Sequence, residues 1–299
     1  MLSDVLQSLR CPLCAGALTE LASGTGRALR CSSGHSFDVA RQGYVSLDTG
    51  RRAHAGDTAE MIEARAELLG SGRYAFVTDA IVTAAREAWD EGGTRVVVDA
   101  GAGTGHHLAA VLEALPAAAG LALDVSKPAL RRAARSHPRA AAALCDTWGR
   151  LPLADRAAQL LLNVFAPRNG PEFHRVLAPG GTLVVVTPAP EHLGALVGAL
   201  GLLAVDPDKD DRVAASLGER FALVREERAS RDLALTHREV RTLVAMGPSA
   251  WHADGAALSA RIAALEEPVQ VTAAVRVRSY RPREAGAAGG SGAREPATS

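Results

Sequence analysis

Lysine is almost missing from this 299-residue chain: only Lys127 and Lys209 occur, and nearly every other basic side chain is arginine. Arginine is the better bidentate partner for phosphate, but the bias also fits an alanine- and arginine-rich genome. The 33 basic residues are matched by 33 acidic ones, so the net charge is zero and the overall field makes no case for a nucleic-acid partner. No apolar run reaches membrane-spanning length. The N-terminus, with Asp4 and Gln7, lacks the charged-then-apolar order of a signal peptide. The expectation is a cytoplasmic protein with no membrane partner. There are only four cysteines, and in a reducing compartment they point to metal rather than to disulfides. A Gly-Lys-Ser/Thr step is also lacking, which excludes a P-loop, as is the Gly-x-Gly-x-x-Gly of dinucleotide binders.

What the chain does have is the stretch Val96-Val97-Val98-Asp99-Ala100-Gly101-Ala102-Gly103-Thr104-Gly105-His106-His107-Leu108. A β-branched run ends in an acid, and three alternating glycines precede an apolar-periodic segment. This predicts a buried parallel strand, a tight turn and a helix start whose free N–H groups face a ligand. Asp99 would repel a pyrophosphate but suits a cationic ligand, and S-adenosylmethionine carries both an ammonium and a sulfonium. The stretch resembles motif I of class I methyltransferases.

The companions follow in order. Leu121-Ala122-Leu123-Asp124 is a short strand ending in a second acid, placed to take ribose hydroxyls. A third strand, 141–145, ends at Asp146, followed by Trp148 and Leu151-Pro152-Leu153; it is similar to the methyltransferase segment whose acid meets the adenine amino group. A fourth run, 157–162, leads into Asn163-Val164-Phe165-Ala166-Pro167, and a Pro179-Gly180-Gly181 turn precedes a fifth strand. The alternative, an α/β fold with another ligand, has to explain all five. Cys145, at a strand end, reads as a core residue.

Near the N-terminus, Cys11-Pro12-Leu13-Cys14 precedes Cys31-Ser32-Ser33-Gly34-His35. Two knuckles with four soft or borderline ligands meet the tetrahedral demand of Zn²⁺, and so small a module needs such a staple. A redox Cys-x-x-Cys is the rival reading, but no thioredoxin-like strand–helix pattern surrounds it. Phe37, Val39, Tyr44, Val45 and Leu47 flank Gln42-Gly43 as a short hairpin expected to complete this module. Residues 48–57 read as a linker, and Asp57-Thr58-Ala59-Glu60 resembles a capping box opening a helix that ends near Ser71-Gly72. A second helix is expected over 75–89. Residues 203–235 carry many charges and little periodicity. A helix over 237–245, the loop GPSAWH at Gly247–His252, a helix over 255–265 and a strand over 269–280 follow and are expected to finish the sheet with a C-terminal antiparallel hairpin, before a disordered tail from Arg281.

The pieces CPLC, CSSGHSFDVARQGYVSL, GDTAEMIEAR, LGSGRY, LDVSKPA, NVFAPRN, LAPGGTLVVVTP with EHL, and GPSAWH together resemble the bacterial 23S ribosomal RNA guanine-N1 methyltransferases of the RlmA type. The resemblance covers residues 10 to about 280. GTGHHL and NVFAPRN look most like the Gram-positive branch, which includes the tylosin- and mycinamicin-resistance enzymes of macrolide producers.

The implied organisation is α/β: a class I (Rossmann-like) methyltransferase with a small N-terminal zinc-binding module. Residues 1–47 would recognise RNA, 48–94 form a linker and helical lid, 95–280 bind S-adenosylmethionine, and 281–299 form the tail. The resemblance implies zinc on Cys11, Cys14, Cys31 and His35. It places the cofactor against Tyr74, Asp99, Gly101, Gly103, Thr104, Gly105, His106, Asp124, Asp146 and His192. A lone Tyr or His is more often packing or solvated, so Tyr74 and His192 rest on the resemblance. It also implies N1-methylation of a guanosine in hairpin 35 of 23S rRNA, a homodimer, and exclusion of macrolides.

Methyl transfer from a sulfonium is an in-line displacement, so positioning dominates, yet guanine N1 must lose a proton. Asn163 cannot act as a base but could hydrogen-bond the guanine edge. Phe165 or Trp251 could stack on an extruded base, unless both are core packing. No general base is assigned. A small-molecule methyltransferase would share the motifs from Asp99 to Thr187 but has no use for a zinc module. A housekeeping enzyme without a resistance role, and an RNA-binding protein that has lost catalysis, are the remaining alternatives.

Overall fold

The computed structural model describes residues 3–23, 26–48, 50, 56–202, 215–247 and 255–283. The GPSAWH loop beyond Gly247, with Trp251, most of the 48–57 linker, residues 203–214 and the tail from residue 284 lie outside these described residues.

The N-terminal unit contains α1 (Ser3–Ser8) and strands β1 (Leu18–Ser23), β2 (Gly26–Cys31), β3 (Ser36–Asp38) and β4 (Tyr44–Ser46). β1, β2 and β3 form an antiparallel three-stranded sheet. The hairpin expected around Gln42-Gly43 turns as predicted: the Gly43 N–H donates to Ala40 O at 2.8 Å, and Val39 bridges Val45. Its second strand, however, does not complete the small sheet. β4 instead runs parallel to β7 of the large sheet, and the Leu47 N–H donates to Leu144 O at 2.9 Å. The reason is burial: Val45 and Leu47 are apolar, and the alanine-rich face of β7 gives them cover.

α2 (Ala59–Gly70) and α3 (Ala75–Ala88) come next. The cap of α2 is Thr58, whose hydroxyl accepts from the Met61 N–H, one residue later than the expected capping box; Glu60 therefore falls in the first turn rather than at its reciprocal position.

The large sheet is built from β5 (Val96–Ala100), β6 (Ala119–Asp124), β7 (Ala140–Leu144), β8 (Ala158–Val164), β9 (Leu177–Pro188), β10 (Phe221–Leu235) and β11 (Val269–Pro282), joined by β4. The connecting helices are α4 (His106–Ala114), α5 (Lys127–Ala133), α6 (Gly170–Val176), α7 (Gly194–Leu200), α8 (His237–Ala245) and α9 (Gly255–Ala263). The strand order is β10-β11-β9-β8-β5-β6-β7-β4, with β11 antiparallel to both of its neighbours and the rest of the central ladder parallel. Its central strands are apolar on both faces, as a sheet covered on both sides requires. One face packs Val97, Leu108, Leu130 and Leu162 under α3, α4 and α5; the other packs Val96, Val98, Leu161 and Phe173 under α1 and α6.

The expected C-terminal antiparallel hairpin is present as β10 and β11, but the position of β10 is not legible in the sequence. Fifteen residues long, it is an edge strand whose faces carry Arg225, Glu226, Glu227, Arg228, Arg231 and Asp232, so the alternation that marks a half-buried strand is lost. The expected tail also begins too early, because Arg281 and Pro282 belong to β11, paired with Ala222 and Phe221.

Candidate cofactor cleft and metal centre

The carboxyl ends of β5, β6, β7, β8 and β9 line one edge of the sheet, and the order reverses between β5 and β8, the place where open α/β sheets bind ligands. The glycine turn sits there. Gly101 leaves β5 at φ 86°, with its N–H on Leu123 O at 2.8 Å, and a Cβ would drive into that of Ala166. At Gly105, the cap of α4, a Cβ would stand 2.9 Å from Ala133 Cα. Packing against the protein itself demands these two glycines. Gly103 differs: the nearest atom to its missing Cβ is a guanidinium nitrogen of Arg65, 3.3 Å away.

Two acids dominate the electrostatics. Asp99 is 2 % exposed, its Oδ1 has no hydrogen-bond partner, and burial followed by the charge of Asp124 pushes its carboxyl up to about 8. Asp124 accepts the Gly103 N–H on Oδ2 and the Ser126 N–H on Oδ1, both at 2.8 Å. Burial raises its pKa; those two bonds and Arg65 only partly offset it. Each oxygen keeps acceptor capacity for a sugar hydroxyl. Asp146 accepts the Trp148 N–H at 3.0 Å, and the neighbouring Cys145 N–H donates to Asp124 O at 3.1 Å, so the second and third acids are tied side by side. Thr104 is buried. His107, held 3.1 Å from Thr78 Oγ1, is pushed down to about 3 by burial, with His106 and Arg65 adding to it; His106 is lowered by burial alone. Both imidazoles are neutral at physiological pH.

Tyr74 and His192, 118 positions apart, face each other edge to face with ring centroids 6.3 Å apart. Tyr74 is 3 % exposed, its Oη lacks a partner, and burial raises its phenol. His192 Nδ1 lies 2.8 Å from Ala274 O on β11. Phe165, just past β8, completes the group, 6.4 Å from His192. It has φ 51° and is 46 % exposed, an uncommon conformation for a bulky residue and a common one at functional sites. Asn163 is fully buried, and its amide donates to Ala100 O at 3.1 Å and Pro167 O at 2.8 Å, bracing the ends of β5 and β8; its Oδ1 is unpartnered.

The Cys11, Cys14 and Cys31 sulfurs and His35 Nδ1 converge, all four lying within 4.8 Å of one another. His35 Nδ1 is 3.5 Å from Cys11 Sγ and 3.4 Å from Cys31 Sγ, and Cys14 Sγ is 3.6 Å from Cys31 Sγ. Edges of about 3.4–3.8 Å are what a tetrahedron with Zn–S near 2.3 Å and Zn–N near 2.0 Å requires, so these residues fit zinc. The knuckles are preformed: the Cys11 N–H donates to Gly16 O at 2.8 Å, and the Gly34 N–H to Cys31 O at 3.0 Å. Backbone donation from Gly16, then the Ser33 and His35 side chains, pulls the Cys14 thiol down to about 6, toward the thiolate a metal needs. Cys145 is buried and its thiol raised, a core residue as read.

Arg65 escaped the sequence reading. It reaches from α2 to Asp57 Oδ2 at 2.6 Å and to Met246 O at 3.0 Å, and Ser126 Oγ donates to Asp57 O at 2.8 Å. The segment before α2 is thereby latched over the β6–α5 turn. Nothing local marks Arg65, since one arginine among many on an exposed-looking helix carries no pattern.

A sheet of this order with paired acids and a glycine turn at its switch point is the fold of class I S-adenosylmethionine-dependent methyltransferases, here carrying a Cys₃His zinc ribbon. Residues 9–47 match the family "RlmA, N-terminal" zinc ribbon. A Streptomyces fradiae protein, named 23S rRNA (guanine(748)-N(1))-methyltransferase, is 51 % identical over 282 residues, 94 % of this chain and 99 % of that one. A Micromonospora griseorubida protein, provisionally named a 23S rRNA (guanine-N1)-methyltransferase, is 61 % identical over 93 % of this chain and 99 % of its own. A Bacillus subtilis (strain 168) protein provisionally given the same activity is 31 % identical over 82 % of this chain and 87 % of its own. The chain belongs to the family of 23S rRNA (guanine-N1)-methyltransferases.

Proposed function

We propose that this protein methylates N1 of one guanosine in hairpin 35 of 23S rRNA, at the position for which the 51 % identical relative is named, and that the added methyl keeps macrolides from the exit tunnel. The observation that carries the reading is the exposed ring of Phe165, held at positive φ beside the Tyr74–His192 pair at the sheet edge where Asp99 and Asp124 end their strands. An extruded base needs such a platform next to the cofactor.

When bound, S-adenosylmethionine supplies an electrophilic methyl group. Asp124 takes the ribose hydroxyls and Asp146 the adenine amino group. Gly101, Gly103, Thr104 and Gly105 would line the cofactor site, together with neutral His106 and the Tyr74–His192 pair. Asp99 would serve the methionine end, whose ammonium would neutralise it. Phe165 stacks on the guanine. Both N–H donors of the buried Asn163 amide are occupied, so Oδ1 is its one unpartnered atom, an acceptor that would suit the guanine 2-amino group once the base displaces its cover. Trp251 remains a second stacking candidate.

RNA must be gripped locally, because eight acidic residues offset eight basic ones within the first seventy-five. Arg10, Arg27, Arg30 and Arg41 are the candidate phosphate ligands of the zinc module. Arg30 and Arg41 are exposed, while Arg27 pairs with Glu20 at 3.2 Å. A homodimer would bring two such surfaces to one hairpin, in the cytoplasm where ribosomes are made. Among the described residues no helix is long and apolar enough to cross a membrane. Expression in a macrolide-sensitive bacterium, with mapping of 23S rRNA, tests position and role together. Methylation of the hairpin without a rise in tylosin tolerance would leave the chemistry and remove the resistance role.

A further inference from the structure

The cofactor cleft is lined by acids. Asp99, Asp124 and Asp57 act on one another or lie in contact with the glycine turn and its latch. That polarity suits the ammonium and sulfonium of the cofactor but opposes its one anionic group, the carboxylate of the methionine end. A cation facing that carboxylate would offset the acids, and the motif residues include none.

Arg65 stands in the right place. Its guanidinium is 3.3 Å from the position a Gly103 Cβ would take, and the Gly103 N–H itself is held by Asp124 Oδ2 at 2.8 Å. Nη1 holds Asp57 Oδ2 at 2.6 Å and Nη2 holds Met246 O at 3.0 Å, so the group is fixed from two directions by separate elements. These bonds occupy two of five N–H donors. The side chain is 27 % exposed, so the remaining donors are neither sealed in the core nor lost to bulk water.

We propose that Arg65 binds the carboxylate of S-adenosylmethionine, making α2 part of the cofactor site. Its pairing with Asp57 holds the guanidinium ready before the ligand arrives and removes the entropy that a free arginine would lose on binding. Because Nη2 also holds the carbonyl of Met246, cofactor binding is linked to the chain that leads out of α8. The inference rests on the assignment of S-adenosylmethionine as cofactor.

The test compares S-adenosylmethionine with decarboxylated S-adenosylmethionine, which keeps both cationic centres and loses only the carboxylate. Calorimetric titration of the full chain should show wild type preferring the carboxylated form by roughly tenfold or more, the loss expected for a charge-assisted hydrogen bond. Arg65→Gln should weaken the carboxylated form by a similar factor, leave the decarboxylated form unchanged and so abolish the preference. Equal binding of both by wild type would overturn the proposal without any variant, which covers the case in which Arg65→Gln fails to fold. Equal loss of both ligands in a folded Arg65→Gln would also overturn it, reducing Arg65 to a latch residue. Failure of wild type to bind either ligand would instead overturn the cofactor assignment, and this inference with it.

Discussion

Asp99 is the most consequential single residue in the cleft. Its carboxyl titrates near 8 in the folded protein against about 4 in an unfolded chain, so the group stabilises the fold below pH 4 and that contribution is lost as pH rises through 8. An ammonium beside it reverses the preference, because binding then requires the ionised form. Affinity for S-adenosylmethionine should therefore rise with pH between 6 and 8, by up to about tenfold per unit, with proton release visible as a buffer-dependent binding enthalpy. Asp99→Asn should flatten the profile; a steep profile surviving in that variant would assign the proton elsewhere. Phe165 offers a second test at this scale. Its positive φ costs about 1–2 kcal/mol in a non-glycine residue. Phe165→Gly should thus raise or preserve the melting temperature and leave cofactor affinity unchanged, while methylation of RNA falls sharply. Methylation at the wild-type rate would remove the ring from the substrate site.

Sequence alone revealed those of these residues that sit on strong local signals. Asp99, Asp124 and the glycines follow apolar runs, and the Cys-x-x-Cys and Cys-x₃-His knuckles announce themselves by spacing. Tyr74 and His192 were reachable only through family resemblance, because nothing local marks a tyrosine after a helix or a histidine in a loop; the fold brings their rings together. Arg65 and its latch to Asp57 were invisible, since a contact between positions 65 and 246 leaves no trace in either neighbourhood. The reading of Asn163 changes in kind: its amide nitrogen braces two strand ends and is no longer free to donate.

Among the elements, the zinc ribbon is less an appendage than its sequence suggests. α1 covers one face of the large sheet, with Val5 and Leu9 buried beside Leu121 and Leu153, and β4 extends that sheet at its edge. The strand patterns predicted the parallel core because both faces are apolar, and missed β10 because charge hides its periodicity. The joint at β4 was equally hidden, since Tyr44–Ser46 is too short to declare its partner. Gently purified protein should contain one zinc per chain; less than half would count against the Cys₃His assignment. Stripping the metal, or Cys31→Ala, should lower the melting temperature and abolish RNA methylation, because the knuckles lose their only staple among the described residues. Cofactor affinity should stay close to wild type, since the cleft lies on β5, β6 and β8. A variant that lost cofactor binding as severely as RNA methylation would show that the ribbon and the cleft act as one unit.

For the whole molecule, family membership sets the reaction, and the fold explains how a chain of zero net charge can serve it. On the proposed reading, positioning comes from the sheet edge, and contact with RNA falls to arginines on the ribbon. The central claim is that one guanosine of hairpin 35 receives a methyl at N1. That methyl blocks the Watson–Crick face, so reverse transcriptase halts one nucleotide before it. Primer extension on 23S rRNA from cells with and without this protein is the most direct measurement. The account predicts a single new stop in hairpin 35, dependent on the protein and absent from the Phe165→Gly variant. No new stop, or a stop elsewhere in the RNA, would contradict it.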